Sequence, residues 1–243
     1  MSEKILLLIE GEHTERIFFD NLKRKFWKKD IEFVSLRCNI YSLYQLMKMY
    51  DFDIETEKAI LEAPSCSEED KKKVRGKTFS TKYLVFDFDF QEKSLTHEEK
   101  LNAITKMIEL FNNDSEYGLL FINYPMFESI REPYNIRNIE TFVFNPSSGI
   151  SYKNHIDNKG NKLDFDKLQH EDYCKLITQS LSMTNYILNN SFSVSKETLN
   201  EETASKLFEK QVAKLEKENV IYCINSAVQI PCYYFGQKIL KKL

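Results

Sequence analysis

The amino-acid sequence predicts an α/β fold: a four-stranded, mostly parallel sheet followed by a mainly helical C-terminal region. Three observations carry this. Four short apolar runs read as strands, helical periodicity fills the intervals between the first four, and helical patterning dominates after about residue 145. The predicted division is therefore residues 1–145 for the α/β domain, with a loop and helix insertion at 51–80, and residues 146–243 for the helical region.

The run from Lys4 to Ile9 (KILLLI) is continuously apolar and stops at Glu10-Gly11, as a strand buried on both faces does. Thr14 stands where it can cap a helix running from Glu15 to about Lys25, with Ile17, Phe18 and Leu22 on one face. A second strand is expected over Ile31 to Cys38 and a helix over Tyr41 to Tyr50. Residues 51–80, acidic and then basic with Pro64 and Gly76 as punctuation, read as a helix and an exposed loop. The third strand is Lys82 to Phe90 (KYLVFDFDF). Thr96, with Glu99 at the capping-box offset, then opens a helix whose stripe is Leu101, Ile104, Ile108 and Phe111. Tyr117 to Asn123 is the fourth strand. Alternating strands and helices imply a parallel sheet with right-handed crossovers. Beyond the turns at 145–149 and 158–161, helices are expected near 171–189 and 197–218, with a short strand at Val220 to Asn225 and a last helix after Pro231.

Composition narrows the function classes. Among 243 residues, 34 Lys and Arg face 37 Asp and Glu, a formal net charge of −3, which excludes a globally basic nucleic-acid binder while leaving local patches open. Glycine is scarce at 6 residues, and neither G-x-G-x-x-G nor G-x-x-x-x-G-K-[ST] occurs, which argues against dinucleotide enzymes and P-loop nucleotidases. The five cysteines are scattered without a C-x-x-C pair, so idle or buried thiols are expected rather than disulfides or a zinc site. No apolar run approaches the roughly 20 residues that cross a bilayer, and Ile5 to Ile9 is too short for a secretory leader, so a cytoplasmic address is expected.

Chemistry should gather at the carboxyl ends of parallel strands. The first strand ends in Glu10, the third in Asp87-Phe88-Asp89, and the fourth leads into Asn123-Tyr124-Pro125-Met126-Phe127-Glu128. If the third strand persists, alternation puts Asp87 and Asp89 on one face, where two carboxylates repel unless a cation sits between them. Hard oxygen ligands of this kind select Mg²⁺, with Mn²⁺ as the alternative ion.

Glu10-Gly11-Glu12-His13-Thr14-Glu15 before a helix, Asp87-x-Asp89 after an apolar strand, and Asn123-x-Pro125-x-Phe127-Glu128 together resemble the TOPRIM domain, over roughly residues 4–130. The third element resembles one found in the RloB-like group. The resemblance implies a Rossmann-like domain and a small Mg²⁺-dependent nuclease of the RloB-like or OLD-like kind, associated with phage defence. It implies that Glu10 binds metal or exchanges protons, that Asp87 and Asp89 hold Mg²⁺, and that Glu15 and Glu128 help to hold a second ion. It also implies a nucleic-acid substrate, DNA or RNA with tRNA included, and admits a partner ATPase and a homodimer. Topoisomerases and primases would need further domains.

Simpler readings stand beside these. Glu12 reads as a solvated loop acid, Asp87 and Asp89 as exposed turn acids, Glu128 as a surface acid beside a proline turn, His13 as a tolerated loop residue or a phosphate contact, and His97, His155 and His170 carry no assigned role. The basic run Lys71, Lys72, Lys73, Arg75 and Lys77 reads as a nucleic-acid contact in a loop before the acidic strand, or as a solvated surface. Lys23 to Lys29, with Phe26 and Trp27 interleaved, is either a base-stacking surface or a helix end with Trp27 packed inward. Arg131 and Lys153 are candidates to neutralise phosphate charge. The rival to the nuclease is a non-catalytic module that binds nucleic acid or a partner protein, and a nucleotidyl transferase would use the same acids.

Overall fold

The computed structural model describes residues 4–27, 30–90, 92–132, 142–159, 162–194, 199–200, 202–236 and 239. The chain forms two compact units: residues 1–87 with 92–121, and residues 88–91 with 122–243. The second unit thus takes in residues 122–145, which the sequence had grouped with the α/β domain.

In the first unit, β1 (Lys4–Ile9) is followed by α1 (Thr14–Phe26), β2 (Asp30–Ser35), α2 (Ile40–Met49), α3 (Thr56–Glu62), α4 (Glu68–Val74), β3 (Thr81–Asp87), α5 (His97–Leu110), β4 (Asn112–Asn113) and β5 (Gly118–Asn123). The last two residues of β5 count with the second unit. The sheet order is β2-β1-β3-β5-β4, with β1 parallel to both β2 and β3. It has five strands rather than four: β4 adds a two-residue antiparallel edge that is too short to show as an apolar run.

Ile5 to Ile9 are all buried, which accounts for the unbroken apolar run of β1. Each such side chain contributes about 1.5–3 kcal/mol through burial. α1 differs in detail from its expected form. His13 takes the N-cap position and Thr14 lies inside the helix. Ile17 points outward at 47% exposure, and the buried face is Glu15, Phe18, Phe19 and Leu22, at the i, i+3, i+4, i+7 spacing of one helix face. Trp27 is buried, as the inward-packing reading of the first basic run requires. Lys28 and Lys29 lie outside the described residues. α5 opens with the expected capping box, Thr96 and Glu99 bonding each other's backbone N–H.

The segment 51–80 holds two helices where one helix and an exposed loop were expected: α3 and α4 lie within it, and Ser67 caps α4 by accepting the Asp70 backbone N–H at 3.1 Å.

In the second unit, a cis Tyr124-Pro125 bond precedes a 3₁₀ turn at Phe127–Arg131. Then come β6 (Val143–Phe144), α6 (Tyr152–Asn158), α7 (His170–Asn189), α8 (Thr203–Glu218), β7 (Ile221–Tyr222) and α9 (Ile230–Phe235). β6 and β7 pair antiparallel, and Phe88 packs against Tyr124 and Phe208. Asn190 and Asn219 end α7 and α8 in the left-handed conformation that asparagine tolerates. Among the described residues no helix is long and apolar enough to cross a membrane.

Candidate functional site

The strand order creates a place for chemistry before any side chain is considered. From β1 the chain crosses to β2 on one side, while β3 lies on the other and leads on toward β5. The carboxyl ends of β1 and β3 therefore flank a topological switch point, where the diverging loops leave a crevice in folds of this class.

Glu10 and Asp87 end at this point. The backbone of Glu10 is still in the sheet, its N–H donating to the Val85 carbonyl at 3.2 Å. Its carboxylate turns across the strands, and Oε2 accepts the Asp87 backbone N–H at 3.0 Å. The two residues predicted from strand ends are thus brought together by a direct hydrogen bond.

Glu15 stands in the first turn of α1, just after the same strand end. It is only 5% exposed, and its carboxyl lies over Gly11. A Cβ on Gly11 would stand 2.0 Å from Glu15 Oε2 and 2.9 Å from Cδ, so the bare glycine makes room for that carboxyl. The loop is held from below, since Ser35 Oγ donates to the Gly11 carbonyl at 2.8 Å. The spacing of Glu10, Gly11 and Glu15 thus has a steric cause.

Asp89 is placed differently from its expected position. β3 stops at Asp87, Phe88 donates its N–H to the Asn123 carbonyl at 3.0 Å, and Asp89 turns to φ 34°. Strand alternation therefore does not extend to Asp89, and it belongs with Phe88–Gln91 to the second unit. A left-handed aspartate is tolerated because its short side chain can bond locally. Glu128 also belongs to the second unit. It sits on the 3₁₀ turn, 3.4 Å from Lys153 Nζ, with Phe127 buried beside it and Asn225 Nδ2 donating to the Phe127 carbonyl at 2.9 Å. Arg131 is paired with Asp157 at 2.9 Å.

The basic run is helical from Lys71 to Val74, not a loop, because Ser67 and the acids after it start α4. Lys73 bridges Asp70 and the Phe33 carbonyl, the latter at 2.9 Å, and Lys77 pairs with Glu32 at 2.6 Å. Lys71 and Arg75 lie 3.9 and 3.4 Å from Glu68, and Lys72 is exposed. Lys73 and Lys77 are thus tied to β2, while Lys72 and Arg75 face solvent.

Two features escaped the sequence. Cys38 lies near Glu10. Burial pushes its thiol up, a Ser65 hydrogen bond offsets this, and the Glu10 charge adds to it, so Cys38 stays a neutral thiol near pH 7. Arg37, just past β2, has φ 56° and donates to Glu12 Oε1 at 2.6 Å. Nothing in sequence spacing marks a left-handed arginine.

Glu10, Glu15 and Asp87 offer the hard carboxylate oxygens that Mg²⁺ takes, and the bare Gly11 leaves space for one of them. Among the described residues, no group of three or more His, Cys, Asp or Glu side chains stands close enough to hold an ion. Compared with family models, curated proteins and solved structures, the chain matches none.

Proposed function

We propose that the carboxyl edge of β1 and β3 is a divalent-cation site and that the chain is a TOPRIM-type nuclease, cleaving phosphodiester bonds in DNA or RNA as an effector of antiviral defence. One observation carries the reading: Glu10 and Asp87, each at the end of its own strand, meet at the switch point through the 3.0 Å hydrogen bond. Glu15, buried over Gly11 on the next helix, supplies a third carboxylate to the same end of β1.

The residues divide the work. The Asp87 N–H orients one oxygen of Glu10, and the bare Gly11 leaves room for the Glu15 carboxyl. Glu10, Glu15 and Asp87 would hold Mg²⁺ or Mn²⁺, which when bound supplies Lewis-acid polarisation of a phosphoryl oxygen. Two acids on adjacent strands also suit proton exchange with an attacking water, Glu10 being the candidate. A rigid sheet edge positions such groups better than a loop does.

A second reading has its own support. The Asp87 N–H already occupies one Glu10 oxygen, as a purely structural cap of β3 would require, and that favours a non-catalytic module that binds nucleic acid or a partner protein. One experiment separates the two: end-labelled DNA, RNA and tRNA are incubated with the protein in Mg²⁺, Mn²⁺ or EDTA, alongside calorimetric titration of each ion. Metal-dependent cleavage with saturable ion binding is expected. Ion binding and cleavage both absent would leave the binding module.

A further inference from the structure

We propose that Arg37 is the phosphate-binding residue of this edge, holding a phosphodiester of a nucleic-acid strand beside Glu10 and Asp87. The proposal deepens the nuclease reading and rests on it for the identity of the phosphate donor.

The starting point is strain. Arg37 adopts φ 56°, a conformation that residues other than Gly, Asn and Asp avoid. It is not a helix cap, unlike Asn190 and Asn219, which share that geometry. The surroundings hold the turn in place. Leu36 N–H donates to the Ile9 carbonyl at 2.9 Å, Arg37 N–H to the Glu10 carbonyl at 3.1 Å, and Ser65 Oγ to the Leu36 carbonyl at 2.6 Å. The backbone of Arg37 is thus pinned to the end of β1, alongside Glu10. Strain kept in a side chain that could be glycine persists where that side chain has a use.

Charge indicates what the use is. Glu10, Glu12, Glu15 and Asp87 make this edge acidic, and an approaching polyanion needs a cation there. Arg16 is close to Asp20 at 3.9 Å, and Lys23 is tied to the Ile31 carbonyl at 3.0 Å. Arg37 is 39% exposed and touches Glu12, itself 43% exposed. A pair so open to water is weak and exchangeable. A guanidinium has five N–H donors in a planar fork, more than the Glu12 oxygen at 2.6 Å takes, and that fork matches phosphate. Glu12 then orients the arginine while its other donors face the substrate. The bland alternative is that the Arg37–Glu12 pair merely pins the loop after β1.

Arg37→Gly tells the two apart, because it removes the charge and relieves the strain together. Binding of short fluorescein-labelled single-stranded DNA, duplex DNA and RNA is measured in EDTA over a range of KCl, with melting temperatures in parallel. The proposal expects Arg37→Gly to melt about 2–4 °C higher. It expects affinity to fall about tenfold and the log–log salt slope to fall by about one. Arg37→Lys should restore the slope but not the full affinity, since the charge returns without the fork. Unchanged affinity and slope in Arg37→Gly would overturn the assignment, as would a lower melting temperature with binding intact. Metal-dependent cleavage of the same probes keeps the two claims apart. Cleavage and binding at parent levels in Arg37→Gly sinks Arg37 and leaves the nuclease. Arg37-dependent binding by a parent protein that cleaves nothing sinks the nuclease and leaves Arg37. A parent that binds none of the probes sinks Arg37 as well.

Discussion

Glu15 in the first unit and Glu132 in the second are almost equally buried, at 5% and 3% exposure, yet their surroundings differ in kind. Glu132 is enclosed by groups that satisfy a charge: Tyr152 donates its hydroxyl at 2.8 Å, Lys159 Nζ lies at 2.5 Å, and His155 Nε2 stands 3.9 Å away. Burial and the nearby Lys159 push His155 below its ordinary value against the pull of Glu132, so it is neutral near pH 7 and Lys159 carries the compensating charge. Burial, reinforced by the neighbouring Cys223 and Glu132, holds the Tyr152 phenol well above its usual range, which keeps it a donor. Glu15 lies in the first turn of α1 with its carboxyl over Gly11, at the strand end where Glu10 and Asp87 also terminate. One carboxylate is embedded for the sake of the fold. The other is held in place at an acidic edge, and that contrast is what experiment can break.

The largest effect is expected at the edge. Asp87→Asn should lower metal-dependent cleavage by about 10³-fold or more, equivalent to about 4 kcal/mol of transition-state stabilisation. Because Asp87 is the last residue of β3 and only half buried, stability should change by no more than about 1 kcal/mol. Single-turnover cleavage and urea unfolding check both halves. Loss of folding instead would make Asp87 a structural residue like Glu132.

The mirror experiment is Glu132→Gln. Removing one partner of a buried ion pair strands the other, at a cost of about 3–5 kcal/mol in full burial. Lys159 keeps partial access to water, so about 3 kcal/mol is the expected loss, read as a lower urea midpoint with an unchanged slope. Stability near that of the parent would mean that Glu132 is not the clamp its contacts suggest.

The two environments were unequally legible in the sequence. β1 and its terminal Glu10 could be read directly, because a strand buried on both faces must be a continuous apolar run and must stop where it becomes polar. The start of α5 was legible for a similar reason, since a capping box is a local code. The end of β3 was not, because Phe88 and Phe90 continue the alternation while the backbone has already turned at Asp89. The helical state of Lys71 to Lys73 had a signal, Ser67 three residues before Asp70, which the charge run obscured. Glu15 also had one, its place in the i, i+3, i+4, i+7 set with Phe18, Phe19 and Leu22. The Glu132 cluster had none. It gathers Glu132 from the end of the 3₁₀ turn, Tyr152, His155 and Lys159 from α6 and its end, and Cys223 from the segment after β7, and only tertiary packing brings them together.

A smaller perturbation tests whether the position of Glu15 matters, rather than its presence. In Gly11→Ala the new Cβ would meet the far end of a flexible side chain, so the Glu15 carboxyl swings aside and stability stays within about 1 kcal/mol. Cleavage should nevertheless fall about 10- to 100-fold. Glu15→Gln should fall similarly, and the double variant should lose less than the sum, since both changes act on one carboxylate. A parent-like rate in Gly11→Ala would return Glu15 to the buried face of α1.

The smallest effect is expected in the basic run, where neighbouring lysines repeat the contrast on a surface. Lys73 clamps α4 to β2 through Asp70 and the Phe33 carbonyl, so Lys73→Ser should cost about 1–2 kcal/mol whether or not nucleic acid binds here. Lys72 is exposed one residue away, and Lys72→Ser should leave stability within about 0.5 kcal/mol. If the outer face of α4 tracks a phosphate backbone, that same substitution should lower the log–log salt slope of binding by up to about one unit, the share of one phosphate contact. The chemical step should stay at the parent rate once substrate is saturating, because Lys72 lies outside the acidic edge. A slope unchanged in both Lys72→Ser and Lys73→Ser would assign the whole run to holding α4 on the sheet, and nucleic-acid contact would then fall to Arg37 and the strand ends.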